Sequence, residues 1–282
     1  MSELGDAVAV ALGVPVTGMA VVHGGDVAAA YRVALSDGRV VFAKTHPTAP
    51  PGFFTTEASG LRWLRAAGVV PVPEVLAVAD EPVPMLVLEW IAAGGRPDEA
   101  AFGRALAALH DAGAPSFGRE DRRTTGSRGL PNEPASTWAA FYASNRLLPL
   151  ARLARDGRAL PSPSIVALER LAGSLERFDD GAPPARLHGD LWAGNRLVDA
   201  SGASWLIDPA AHGGHREFDL AMMRLFGGFA PAAFAAYAEA CPLSPGWADR
   251  VELHQIAPLV VHAIKFGGGY VGAAARAIDR YA

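Results

Sequence analysis

Three side chains in the second half of this 282-residue chain have the types and spacing that phosphoryl transfer requires. They are Asp190 and Asn195 in LHGDLWAGN (187–195) and Asp208 in LIDPA (206–210). A hydroxyl attacking a phosphoryl group needs a carboxylate to orient it and accept its proton, and Asp190 offers one. Asn195, five residues on, offers an amide oxygen, and Asp208, thirteen residues further, a charged oxygen. Magnesium prefers hard oxygen donors of these two kinds. Singly, each is an ordinary loop cap or turn former. As an ordered set they point to a catalytic site.

Two upstream residues extend the set. Lys44 ends the apolar run VVFAK, and Glu57 lies in FFTTEASGLRWLRAAG (53–68). A lysine there is commonly just a strand exit. The second segment is a helix pattern with Phe54, Ala58, Leu61 and Leu64 on one face and Gly68 at its end. Glu57 falls beside that face, within reach of Lys44. A lysine on a third strand and a glutamate on the next helix form the ion pair that orients phosphates in kinases. The carboxylate–five–amide spacing, followed by an aspartate after a short apolar strand, matches the kinase catalytic loop and metal aspartate. His188-Gly189-Asp190 stands where protein kinases carry HRD. The missing arginine is the one that reads a phosphorylated activation loop, so small molecules are the expected acceptors. His188 is expected to be a packed histidine that shapes the loop. No other histidine is spaced with it for zinc.

The elements that must position these groups follow from periodicity. Residues 2–12 read as an amphipathic helix. Strands are expected at 14–22, 28–35 and 39–44, with turns at 23–26 and 36–38. Gly24 and Gly25 in the first turn would let backbone N–H groups approach phosphates, although any hairpin carries glycine. Further strands are expected at 74–79 and 84–90. The latter, ending MLVLEW, runs into Ile91 and Gly94-Gly95, which reads as a lobe boundary dividing the chain into 1–91 and 92–282. Glu89, Trp90 and Ile91 occupy the strand exit whose backbone meets adenine in a kinase; the plainer reading is a core strand followed by a loop. Helices are predicted at 97–112, 134–148, 165–178, 218–226, 231–240, 245–268 and 270–281. One short strand is predicted at 206–207, and a long loop at 114–134. The predicted class is α+β: a small antiparallel β lobe followed by a larger helical lobe.

Composition narrows the partners. Half of the residues are hydrophobic and 19% charged, as in a globular protein. A net charge of −4 gives no bulk attraction for nucleic acid or an anionic membrane. The one cysteine, Cys241, excludes an intrachain disulfide and a cysteine zinc site, and is expected as a small buried hydrophobe. A chain with one thiol suits a reducing compartment. No secretory leader pattern and no apolar run of about 18 residues occurs, so the expected location is the cytoplasm. No motif specifies an oligomeric state.

LHGDLWAGN resembles the signature of the fructosamine kinase (ketosamine-3-kinase) family. The wider aminoglycoside-phosphotransferase-like kinases share HGD but usually differ in the residues after it. GGDVAAAYRV, VFAKT, FFTTEASGLRWL, LVLEWI, IDPAAHGGHREFDLAMMRLFGGF and FGGGY are similar too, over nearly the whole chain. The resemblance implies a kinase-like fold binding ATP and magnesium. It implies transfer of the γ-phosphate to the 3-hydroxyl of a sugar joined to an amine through a ketoamine, and hence protein deglycation. Asp190 is then the base, and Asn195 and Asp208 hold magnesium. Lys44 contacts phosphates, Glu57 holds Lys44, Gly24 and Gly25 cover the phosphates, and Glu89 to Ile91 face adenine. Trp192 would stack on the sugar or the amine substituent, or pack under the loop. His215, where many relatives carry an acidic residue, is a candidate substrate contact. Arg216 and Asp219 are expected to hold the loop. The Thr124–Asn132 segment is looser than the family's usual one. The expected partner is a ketosamine, free or protein-bound, with fructosamine, ribulosamine and erythrulosamine left open. The alternatives are an aminoglycoside- or choline-type phosphotransferase and a nucleotide-binding pseudokinase. The intact Lys44, Asp190, Asn195 and Asp208 oppose the last.

Overall fold

The computed structural model describes residues 2–23, 28–120, 124–125 and 129–282. The turn with Gly24 and Gly25 therefore lies outside the described residues. The chain forms two compact units. One is Met1–Asp98 with Arg196–Pro209, the other Glu99–Asn195 with Ala210–Ala282.

The first unit is a five-stranded antiparallel sheet flanked by two helices. Helix α1 (Glu3–Leu12) starts where the Ser2 hydroxyl accepts the Gly5 N–H at 3.2 Å, and ends at Gly13 in the left-handed conformation. Strands β1 (Val16–Val22), β2 (Ala29–Leu35), β3 (Val40–Thr45), β4 (Val75–Ala79) and β5 (Met85–Glu89) lie in the order β1-β2-β3-β5-β4. Period-two alternation sorts their side chains. Val41, Ala43, Met85 and Val87 pack with Leu4 and Val8 of α1. Lys44, paired in register with Leu86, belongs to the other face. There α2 (Phe53–Arg65) buries Phe54, Ala58, Leu61 and Leu64 and packs on β4 and β5. A later hairpin, β9 (Arg196–Val198) with β10 (Ser204–Leu206), completes the unit, and the Leu206 N–H donates to the Pro71 carbonyl at 2.9 Å.

The second unit is mainly helical. It contains α3 (Glu99–Asp111), α4 (Trp138–Tyr142), α5 (Leu148–Asp156), α6 (Ser162–Ala172), α7 (Glu217–Phe226), α8 (Pro231–Ala240), α9 (Trp247–Phe266) and α10 (Gly269–Tyr281). Two short strand pairs join them: β6 (Thr124–Thr125) with β7 (Leu130–Pro131), and β8 (Ala185–Leu187) with β11 (His212–Gly214). Its core runs through α4, α5, α6, α9 and α10. A side chain at Gly103 of α3 would stand 2.1 Å from the Ala233 carbonyl oxygen, so that glycine sets how closely α3 approaches α8.

Some elements differ from expectation. The helix predicted to stop at 148 passes through a π-helical turn (Ala143–Leu147) and continues as α5. Pro149 follows the π-helical turn directly, in the first turn of α5. The helix predicted from 165 begins at Ser162, with Pro163 in its first turn, where a missing N–H costs nothing, and a 3-10 turn (Leu175–Phe178) follows it. Strands β8, β9 and β11 are three residues each, too short for alternation to register. Among the described residues, no helix is long and apolar enough to cross a membrane.

Candidate active site

In the first unit three of the predicted residues meet. The Lys44 ammonium lies 2.6 Å from Glu57 Oε1 and 2.7 Å from Asp208 Oδ1. Lys44 ends up on the α2 face because β3 alternates, and Glu57 is carried there by the first turns of α2. Asp208 follows β10 with φ at 51°, a left-handed conformation that Asp tolerates better than most residues. Burial disfavours the charge on Lys44, but the two carboxylates outweigh it and hold its pKa above the ordinary lysine value. Burial pushes the Glu57 carboxyl up to about 7, opposed by Lys44 and reinforced by Asp208. Asp208 keeps 47% of its side chain exposed, whereas Lys44 keeps 9%. At the end of β5, Glu89 Oε2 accepts the Glu74 N–H at 3.2 Å, and Arg32 lies 5.7 Å from the Trp90 ring. Glu89, Trp90 and Ile91 are all half-buried.

In the second unit Asp190 and Asn195 share a loop that leaves β8 and ends in a 3-10 turn (Ala193–Asn195). The Asn195 amide Nδ2 donates to the Asp190 carbonyl at 2.8 Å and to Asp190 Oδ2 at 3.1 Å. That orientation, assigned from the partners, leaves Oδ1 as the oxygen-donor end of the amide. An amide oxygen is a donor type that magnesium accepts, and in the first unit the half-exposed Asp208 carboxylate is another. Gly189 has φ at +81°, and a Cβ there would stand 2.2 Å from the Ala210 carbonyl oxygen. Glycine in HGD is thus imposed by backbone conformation and by space, beyond the loss of an arginine. His188 is fully buried, and its Nδ1 accepts the Asp190 N–H at 3.2 Å.

The loop is anchored from α7. The buried Asp219 carboxylate accepts the His188 N–H at 2.8 Å and the Gly189 N–H at 2.9 Å. Burial opposes its charge, yet the His110 hydrogen bond leads the contacts that hold its pKa below the usual carboxylate range. His110 Nε2 lies 3.2 Å from Asp219 Oδ2, and His110 Nδ1 lies 2.7 Å from the Tyr237 hydroxyl. His110 and Tyr237 escape the sequence reading; their one signal is a polar group on the apolar face of a helix, as in ALAALHD. Arg216, expected to hold the loop as Asp219 does, donates to Cys241 Sγ at 2.6 Å and to the Cys241 carbonyl at 3.3 Å. Cys241 is therefore a half-buried acceptor, where a buried hydrophobe was expected.

Trp192, two residues past Asp190, is 41% exposed. Its ring folds over Gly194, where a Cβ would lie 2.2 Å from the indole, and it meets Phe226 edge-on at 6.3 Å. Phe226 contacts His262 at 4.9 Å, and His262 continues to Tyr270 at 5.0 Å and to the exposed Phe266 at 5.5 Å. An aromatic shelf thus runs from the loop to the FGGGY segment. His215, read from the sequence as facing the substrate, is only 2% exposed. Its Nε2 lies 3.0 Å from Asp180 Oδ1 and its Nδ1 accepts the Glu217 N–H at 3.2 Å, so both nitrogens are engaged in the interior. Glu217 and His254 complete this cluster, and Arg250 supplies its positive charge through both Glu217 oxygens, at 2.6 and 2.9 Å.

The family model for fructosamine kinase matches residues 6–282. A probable ketoamine kinase of Enterococcus faecium is 35% identical over 254 residues, covering 88% of this chain and 90% of its own. The chloroplastic protein-ribulosamine 3-kinase of Arabidopsis thaliana is 32% identical, over 87% of this chain and 77% of its own. A crystal structure from Thermobifida fusca, provisionally named a fructosamine-3-kinase, superposes with a TM-score of 0.90 at 40% identity, over 99% of this chain and 98% of that one. An aminoglycoside phosphotransferase solved with ADP and hygromycin B, at 16% identity and a TM-score of 0.57, shares the kinase-like fold. The HGD loop, the lysine cluster and this match along almost the whole length lead to one statement: the chain belongs to the fructosamine kinase family.

Proposed function

We propose that this protein transfers the γ-phosphate of ATP to the 3-hydroxyl of a ketosamine of the fructosamine or ribulosamine type. The observation that carries the reading is the buried Lys44 held between Glu57 and Asp208 at 2.6 and 2.7 Å. A lysine so placed is oriented towards phosphate oxygens, and its charge persists despite burial. Residues 1–91 are assigned to the nucleotide, with Gly24 and Gly25 over the phosphates and the backbone of Glu89, Trp90 and Ile91 against adenine. Residues 92–282 are assigned to catalysis and to the acceptor. Asp190 orients the sugar hydroxyl and takes its proton. Asn195 and Asp208 would hold magnesium, which neutralises charge on the transferring phosphoryl group when bound. Trp192 offers an exposed aromatic face to the sugar or to its amine. His215 supports the chain between β11 and α7 from the interior. A ketosamine 3-phosphate is unstable and releases its amine, so the consequence is deglycation. A reducing, ATP-containing compartment, the cytoplasm, suits a chain with one thiol.

The test is a panel of fructosamines, ribulosamines and erythrulosamines, with an aminoglycoside and choline beside them, each supplied with ATP and magnesium. Phosphorylation of a ketosamine by the wild type and its loss in Asp190→Asn are expected. Turnover of only the aminoglycoside or choline defeats the reading. Nucleotide binding with no turnover of any compound makes the protein a pseudokinase.

A further inference from the structure

We propose that His110 and Tyr237 are positioning residues for the loop that carries Asp190; the inference rests on Asp190 being the base. Asp219 grips the two backbone N–H groups that immediately precede Asp190, one on each carboxylate oxygen. Each oxygen of the carboxylate thus carries one backbone bond. His110 Nε2, at 3.2 Å from Oδ2, supplies the third contact. A neutral imidazole donates there with its proton on Nε2, which leaves Nδ1 as an acceptor. The Tyr237 hydroxyl at 2.7 Å from Nδ1 is the donor that fixes this tautomer. The three groups come from α3, α7 and α8 and are buried to 3%, 0% and 1% exposure, so water competes for none of these bonds. Gly103 permits the close α3–α8 approach on which the His110–Tyr237 contact depends. The relay ends at the backbone of the loop and never reaches a reacting atom. Its effect therefore falls on where Asp190 stands, and not on how tightly a substrate binds.

The experiment uses the full chain as wild type, His110→Ala, His110→Gln and Tyr237→Phe. It measures kcat, KM for ATP and for a ketosamine, and amide hydrogen exchange across 187–195. His110→Ala is expected to lower kcat about 10- to 100-fold, with both KM values within about twofold of wild type. Exchange at the His188 and Gly189 amides should quicken in the same variant. His110→Gln, whose side-chain N–H reaches the Nε2 position, should recover most of both properties, and Tyr237→Phe should show a smaller loss of the same kind. Equal losses in the Ala and Gln variants overturn the proposal. So does a His110→Ala protein that melts earlier but keeps its kcat. If His110→Ala does not fold, Tyr237→Phe decides, and unchanged kcat and exchange there overturn it. If the wild type phosphorylates no ketosamine, the kinase reading falls separately. The exchange arm still judges the relay, and unaltered protection at His188 and Gly189 refutes it.

Discussion

Around Lys44 the bonds run from side chain to side chain; around Asp190 they run from side chain to backbone. In the first unit one ammonium is shared by two carboxylates, one nearly buried and the other, Asp208, about half exposed. Ion pairs of this kind can exchange partners as charge arrives, because no main-chain bond has to break. In the second unit Asp219 holds two consecutive amides, His188 accepts a third, and Gly189 has no room for another atom. That loop moves only by losing several buried hydrogen bonds together. Of the two, the lysine cluster is the more adjustable and the HGD loop the more rigid.

The contrast can be broken by substitution. Asp190→Asn should lower kcat by about 10³-fold while the melting temperature stays near wild type, since the anchoring bonds are made by its neighbours. Steady-state kinetics beside thermal unfolding would check both halves. Lys44→Met should abolish turnover and also destabilise by about 2–4 kcal/mol, because two carboxylates then face each other without a cation. Glu57, already pushed up to about 7, would escape by protonation. The deficit should therefore be larger at pH 8 than at pH 6 in denaturant titrations. Gly189→Ala should cost about 2–3 kcal/mol from backbone strain alone and lose activity with it. If it kept both, the loop would not be the rigid partner.

Acidification gives the broadest effect, and the smallest per residue. Burial lowers the pKa of His212 to about 3, helped by Arg146, and that of His254 to about 4. Unfolding raises both to the ordinary histidine value, so the unfolded chain binds more protons between that value and the folded ones. Stability should fall as pH drops from about 6.5 towards 4, with each histidine contributing about 2 kcal/mol by pH 5. Melting temperature against pH measures this, and His254→Gln should flatten the curve.

The candidate set is legible because its spacing is local. Asp190, Asn195 and Asp208 lie within one stretch of chain, and a single hairpin separates the last two. The sheet declared itself through alternation and hairpin turns, as at Ser36–Gly38. What sequence does not display is convergence. His110 reaches Asp219 over 109 positions and Tyr237 over 127, and periodicity marks each only as a polar residue in an apolar helix. His215 was misplaced for a related reason. It stands where many relatives carry an acidic residue, which suggests a substrate contact, yet Asp180 and the Glu217 amide satisfy it inside. The continuation through the π-helical turn into α5 is hidden by Pro149, since a proline ordinarily breaks a helix in its middle; here the π-helical turn precedes it.

The first unit is made from two separate pieces of chain, Met1–Asp98 and Arg196–Pro209. During synthesis β1 to β5 can pair as soon as the first piece leaves the ribosome. Lys44 then has Glu57 alone, a balanced pair of one cation and one anion. Asp208 and the Leu206–Pro71 bond arrive only after the whole of 99–195, including the Asp190 loop, has been translated. A nascent or prematurely terminated chain shorter than 208 residues thus lacks one of the two acidic partners of Lys44.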